Sequence, residues 1–67
     1  MKIFGEKLQE LRKEKNLTQK ELGEKLRVSR GSIFGWEKDL QEPSLETLAV
    51  IAKFFQVKTD YLLGLED

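Results

Sequence analysis

An all-helical fold in one small domain is what these 67 residues predict, and three observations carry that reading. Apolar residues recur at three- and four-residue spacing in five successive segments, the period of helices buried along one side. Hydroxyl residues Thr18, Ser29 and Ser44 stand just ahead of three of those segments, where a side-chain oxygen can accept from the unpaired N–H groups of a helix start. No segment reads as a strand. The absence of Cys removes both a disulfide framework and a thiolate zinc site, so helix packing has to supply the stability. A chain this short removes only about 60% of its unfolded surface from water. Residues 1–67 are therefore expected to form a single domain, with every apolar residue read first as core.

The first helix is expected from about Lys2 to Lys15, with Phe4, Leu8 and Leu11 on one side and charged residues between them. Asn16 and Leu17 interrupt it. Thr18 followed three residues later by Glu21 has the pattern of a capping box, so the second helix starts at about Gln19 and faces inward through Leu22 and Leu26. Ser29 is a second cap only three residues beyond Leu26, which leaves Arg27 and Val28 as a tight turn. The third helix is expected from Arg30 to about Asp39 with Ile33 and Trp36 inward, although Gly31 and Gly35 each weaken it by about 1 kcal/mol relative to Ala. Leu40 to Pro43 form a loop. Ser44 then caps a fourth helix carrying Leu45, Leu48, Ile51, Ala52 and Phe55 at helical spacing. Gln56 and Val57 end it, and a short fifth helix opens at Lys58 or Thr59, carries Tyr61, Leu62 and Leu63, and closes at Gly64.

Composition also narrows the function. With no His and no Cys, the commonest general base and the commonest metal ligands are missing, and no nucleophile–base pair or phosphate-binding Gly-rich loop replaces them. Neither an enzyme nor a metal or cofactor protein is expected. No stretch approaches the ~20 apolar residues of a membrane span, and the N-terminus lacks the apolar segment of a signal peptide, so a soluble cytoplasmic protein is expected. The net charge of zero conceals an asymmetry: residues 1–38 hold ten Lys or Arg against six Glu, a surplus of four, and residues 39–67 hold two Lys against six acids, a deficit of four. The positive half contains the second and third helices. Ordinary mixed-charge solvated faces would account for this equally well. Two short helices joined by a tight turn, spanning about Gln19 to Lys38, have the geometry of a helix-turn-helix, whose second helix enters the major groove of DNA. An unrelated helical bundle could share that spacing.

Particular residues go further. The stretches Leu11-Arg12-Lys13-Glu14-Lys15-Asn16-Leu17-Thr18-Gln19, Val28-Ser29-Arg30, Trp36-Glu37, Pro43-Ser44-Leu45-Glu46-Thr47-Leu48 and Thr59-Asp60-Tyr61-Leu62-Leu63-Gly64 resemble successive signatures of the Cro and phage-repressor type of helix-turn-helix domain, also called the XRE family. The resemblance covers nearly the whole chain. It implies a five-helix lambda-repressor-like fold and sequence-specific binding of double-stranded DNA by a transcriptional regulator, with repression the expected direction. By position it implies that Gln19 contacts a phosphate and braces the recognition helix, and that Arg12 and Glu37 form a partly buried ion pair. The base-facing positions it implies are Ser29, Arg30, Gly31, Phe34 and Gly35, with Ser32 beside them.

The chain departs from that family in several places. Gly31, Phe34 and Gly35 stand where many relatives carry polar or basic side chains, which leaves Arg30 as the main reader, able to take guanine O6 and N7 together or simply a phosphate. Phe34 fits a thymine methyl or a sugar, or equally a contact within the protein. The glycines would let the helix approach the groove floor. Thr18 is both a cap and a residue placed for phosphate, since a helix N-terminus offers free N–H groups. Lys38 and the backbone of Leu40 and Gln41 fall near phosphate, whereas Lys15, Lys20 and Lys25 are either solvated lysines or long-range attraction. Gly23 stands where relatives usually have Ala and keeps the crossing of helices two and three close. Arg27 replaces a usual turn Gly, so either strain or an altered turn is expected there. Leu40, Val50, Phe54 and Leu65 fall outside the core register or at its margin, which suggests a partner. The resemblance implies a homodimer through helix five and its flanks, reading a palindromic operator. The rival class is a protein-interaction module of antitoxin or anti-regulator type with weak or no base reading, favoured by Gly31, Phe34 and Gly35.

Overall fold

The computed structural model describes residues 2–66, and five helices account for its regular structure: α1 (Lys2–Glu14), α2 (Gln19–Leu26), α3 (Arg30–Glu37), α4 (Leu45–Phe55) and α5 (Thr59–Leu62). There is no strand among the described residues. α2 packs on α3, α1 lies across α3, and α4 touches α2 and α5 while α5 returns to α1. Each helix turns its apolar stripe toward one shared core: Phe4, Leu8 and Leu11 from α1, Leu22 and Leu26 from α2, Ile33 and Trp36 from α3, Leu48, Ile51, Ala52 and Phe55 from α4, and Leu62 from α5. The rings of Phe4 and Trp36 meet edge-on at 6.5 Å, which ties α1 to α3. A fully buried Leu, Ile or Phe contributes about 1.5–3 kcal/mol, a large share of what so small a domain retains.

The helix starts follow local chemistry. Thr18 Oγ1 accepts from the Glu21 N–H at 3.0 Å and Glu21 Oε1 accepts from the Thr18 N–H at 2.8 Å, a complete capping box. Ser29 and Ser44 cap α3 and α4 by accepting from Ser32 and Thr47. α5 opens at Lys58 without a side-chain cap.

The ends obey one rule. After each helix a residue turns to positive φ: Asn16, Arg27, Asp39, Gln56 and Gly64. The next residue's N–H then reaches back five positions, Leu17 to Arg12, Val28 to Gly23, Leu40 to Gly35, Val57 to Ala52 and Leu65 to Asp60, which closes orphan carbonyls in the Schellman manner. Arg27, at φ 60°, therefore takes the strained of the two conformations expected for it. The same rule shortens α3. It ends at Glu37 rather than Asp39, because Asp39 at φ 61° has left the helical region.

Two positions depart from the apolar pattern. Leu45 matches the helical spacing of α4 yet is 84% exposed at the first helical position, and the buried stripe begins at Leu48. Phe54, read as marginal, is packed against the core and meets Phe55 edge-on at 5.0 Å. Leu40, Val50 and Leu65 are exposed, and Ile3 and Phe34 join them.

The crossing of α1 over α3 is set by Gly5, a residue with no apolar signal. A Cβ at Gly5 would stand 2.5 Å from the Trp36 carbonyl oxygen and 2.9 Å from that of Glu37, both main-chain atoms that can yield only by moving the helices apart. Gly5→Ala is expected to destabilise the fold by about 1–3 kcal/mol, against the ~1 kcal/mol gain that Ala brings to an unhindered helix. Urea denaturation reads the net sign, and a stabilised variant would show that α1 is free to shift. Gly23 keeps the turn between α2 and α3 equally close, with the Val28 carbonyl oxygen 2.8 Å from where a Cβ would lie.

Candidate nucleic-acid interface

α3 is held from behind and open in front. At about 100° per residue, Arg30, Gly31, Phe34, Gly35 and Lys38 fall on one arc, while Ile33 and Trp36 fall on the opposite side and are buried. Arg30 and Lys38 are exposed and Phe34 is 45% exposed. Their side chains make no hydrogen bond, ion pair or ring contact among the described residues. Along the helix axis a cation thus stands at each end of this face, Arg30 at the first turn and Lys38 at the last, with the Phe34 ring between them.

Behind that arc sits a buried polar cluster. Arg12 Nε donates to Glu37 Oε2 at 2.7 Å and Nη2 to Oε1 at 3.0 Å, a two-pronged pairing of a planar guanidinium with a carboxylate. Arg12 Nη1 also donates to the Leu17 carbonyl at 2.9 Å, and Gln19 Nε2 donates to Glu37 Oε1 at 3.1 Å. The Glu37 side chain is 1% exposed, so the half-buried state of the whole residue is main-chain exposure at the end of α3. A carboxylate can only accept, which fixes the Gln19 amide with its nitrogen toward Glu37. One carboxylate thereby joins the end of α1, the start of α2 and the end of α3. The family resemblance implied both the Arg12–Glu37 pair and a bracing role for Gln19 toward the recognition helix; that Glu37 is the group Gln19 holds is seen only in the structure.

The sequence-predicted site residues divide by environment. Thr18 and Ser29 are exposed caps, and Ser29 Oγ lies 3.1 Å from Ser32 Oγ, so the two hydroxyls share a hydrogen bond at the start of α3. Gly31 is open, with only Ser29 Oγ within 4 Å, at 3.7 Å, of where its Cβ would be. Gly35 differs from expectation. It is buried, because the loop after α3 folds back over it: the Leu40 and Gln41 N–H groups donate to the Gly35 carbonyl at 2.8 and 3.2 Å, and the Gln41 side chain covers the Cα. Close approach of bare backbone to a ligand is available at Gly31 and not at Gly35. Among the described residues no helix is long and apolar enough to cross a membrane, and no cluster of three His, Cys, Asp or Glu could hold a metal ion.

Comparison with known proteins agrees with this geometry. Residues 8–62 match the model of the helix-turn-helix family. The chain is 52% identical over 64 residues to the HTH-type transcriptional activator BcrR of Enterococcus faecalis, covering 96% of this chain and 31% of that protein. It is 36% identical over 64 residues to the HTH-type transcriptional regulator ImmR of Bacillus subtilis, covering 96% and 50%. It is 36% identical over 55 residues to the cryptic phage CTXphi transcriptional repressor RstR of Vibrio cholerae, covering 82% and 50%. The chain thus spans half or less of these relatives' own lengths.

Proposed function

The chain belongs to the helix-turn-helix family, in its Cro and phage-repressor branch, and from that premise we propose that it binds double-stranded DNA as a transcriptional regulator with α3 in the major groove. The observation that carries the proposal is the outward arc of α3, whose Arg30, Phe34 and Lys38 side chains make no hydrogen bond, ion pair or ring contact among the described residues while the opposite side is locked in the core. A reading helix needs both properties: groups left free for base edges, and a scaffold rigid enough to hold them in register.

In this reading Arg30 takes a guanine through O6 and N7, Phe34 rests on a thymine methyl or sugar, and Gly31 admits the groove floor to the backbone. Thr18, Gln19, Ser29 and Ser32 sit at helix starts, where partial positive charge and the N–H groups that the caps leave unpaired favour phosphate. Gln19 is supported in a double role, since one amide hydrogen is held by Glu37 and the other is left for phosphate. Lys38 and the main chain at Gln41 add contacts at the far end. Residues 1–67 act as one unit in the compartment that holds the DNA. Repression is the simpler output, because a seated helix excludes other proteins from the site without any further contact. A two-fold dimer through α5 and its flanks would read a palindrome with half-sites ~34 Å apart. Exposed Leu65 and Ile3 support that face, with Ile3 lying against Gly64 beside the end of α5.

The test is selection from random duplexes by the purified chain at two salt concentrations, with sequencing of the bound fraction. Enrichment of a motif whose affinity falls steeply with salt is the expected result. Recovery of random sequence, or of nothing, would favour the second reading, a protein-interaction module, for which the exposed Phe34 is the observation; binding there would respond weakly to salt. Arg30→Ala is expected to lose about 1–3 kcal/mol of discrimination at one base pair with thermal stability unchanged. A uniform loss across all sequences would reduce Arg30 to a phosphate contact.

A further inference from the structure

A glycine on a reading face is a gap, and at Gly35 the gap is filled from elsewhere. A Cβ at Gly35 would stand 3.0 Å from both Cδ and Nε2 of Gln41 and 3.1 Å from its Cγ. The loop glutamine thus lies where a side chain of α3 would otherwise project. Two main-chain hydrogen bonds to the Gly35 carbonyl pin the loop there. The Gln41 amide itself makes no hydrogen bond among the described residues and the residue is exposed, so its donor and acceptor are presented and unused.

We propose that Gln41 is a specificity-determining residue, reading an adenine through N6 and N7 from its seat over Gly35. The proposal rests on the reading of α3 as the groove helix and deepens it, because it moves Gln41 from a main-chain phosphate contact to a side-chain base contact. The chemistry suits the target: a primary amide pairs with adenine by accepting from N6 and donating to N7 at once. Gly35 is the positioning residue. An Ala Cβ there would press the Gln41 side chain aside by a few tenths of an ångström, and a longer side chain would take its place.

The experiment repeats the random-duplex selection with the wild-type chain, Gln41→Ala, Gln41→Glu and Gly35→Ala, alongside thermal unfolding of each. The wild type should enrich a site with an adenine in each half-site. Gln41→Ala should lose that preference by about tenfold or more at that one position and keep the rest of the motif. Gln41→Glu should turn from adenine toward cytosine, whose N4 donates to a carboxylate. Gly35→Ala should weaken the preference at the same position, by displacing the Gln41 amide a few tenths of an ångström, with the melting temperature held or raised, because the close contact is with the end of a flexible side chain and Ala favours the helix. A motif unchanged in Gln41→Ala, or an affinity loss equal at all positions, would overturn base reading by Gln41. A Gly35→Ala motif identical to the wild type, with Gln41→Ala shifted, would overturn the seat. Absence of any enriched motif in the wild type would remove the groove reading itself, and this inference with it.

Discussion

Glu37→Ala is expected to lower the unfolding free energy by about 3–5 kcal/mol, the cost of leaving one partner of a buried pair without the other. The Arg12 and Glu37 side chains are 10% and 1% exposed, so the guanidinium left behind would be largely cut off from water. Gln19 would lose its acceptor as well, and the start of α2 would lose its polar tie to the end of α3. A domain of this size holds only a few kcal/mol in total, so the variant should be mostly unfolded at room temperature, and circular dichroism in a urea titration would show it. Replacing both partners together, Arg12→Met with Glu37→Leu, should recover much of the loss, since well-packed apolar groups often match a buried ion pair. A loss below about 1 kcal/mol for Glu37→Ala would mean that the pair behaves as a solvated one and that α3 is held by packing alone.

Ile33→Ala should cost about 2–5 kcal/mol, the range for emptying a core site of this size. Ile33 is 0% exposed at the centre of the α3 stripe. Its immediate neighbours on the opposite arc face outward, so the loss should be of folding rather than of contact with a ligand. Denaturation of Ile33→Ala beside Arg30→Ala separates the two sides of one helix: the first should unfold early and the second at the wild-type midpoint. Equal destabilisation of both would defeat the division of α3 into a packing side and a reading side.

How much of this was legible in the chain depends on the range of each interaction. Helix starts were read within a residue at Thr18, Ser29 and Ser44, because the capping oxygen and the N–H it satisfies are three positions apart. The core stripe was read nearly complete, since spacing alone places Leu22, Ile33 and Ile51 inward. Helix ends were harder. Gly64 and Asn16 are residues that signal a left-handed end, but Asp39 and Gln56 enter that region without being Gly or Asn, and α3 ends two residues before the spacing predicts. Arg27, a non-glycine at a turn, adopts the left-handed conformation at φ 60°.

The interface divides along the same line. Arg30 as a free cation and Phe34 as an exposed ring could be assigned from their places on a helix, because helical phase is local. Glu37 as the acceptor by which Gln19 braces α3, the backbone crossing at Gly5 and the seat of Gln41 over Gly35 could not. Each joins residues distant in sequence or on different elements, and each rests on how closely two elements approach. By itself the sequence determined five helices, their buried sides, their caps and their family, because periodicity, capping and motif all act within a few residues. Gly23 at the crossing of α2 and α3 was implied by its family position, but only the tertiary structure decided that Gly5 is a second contact point, Gly31 an open face and Gly35 a seat for another side chain, since a residue without a side chain takes its meaning from what packs against it.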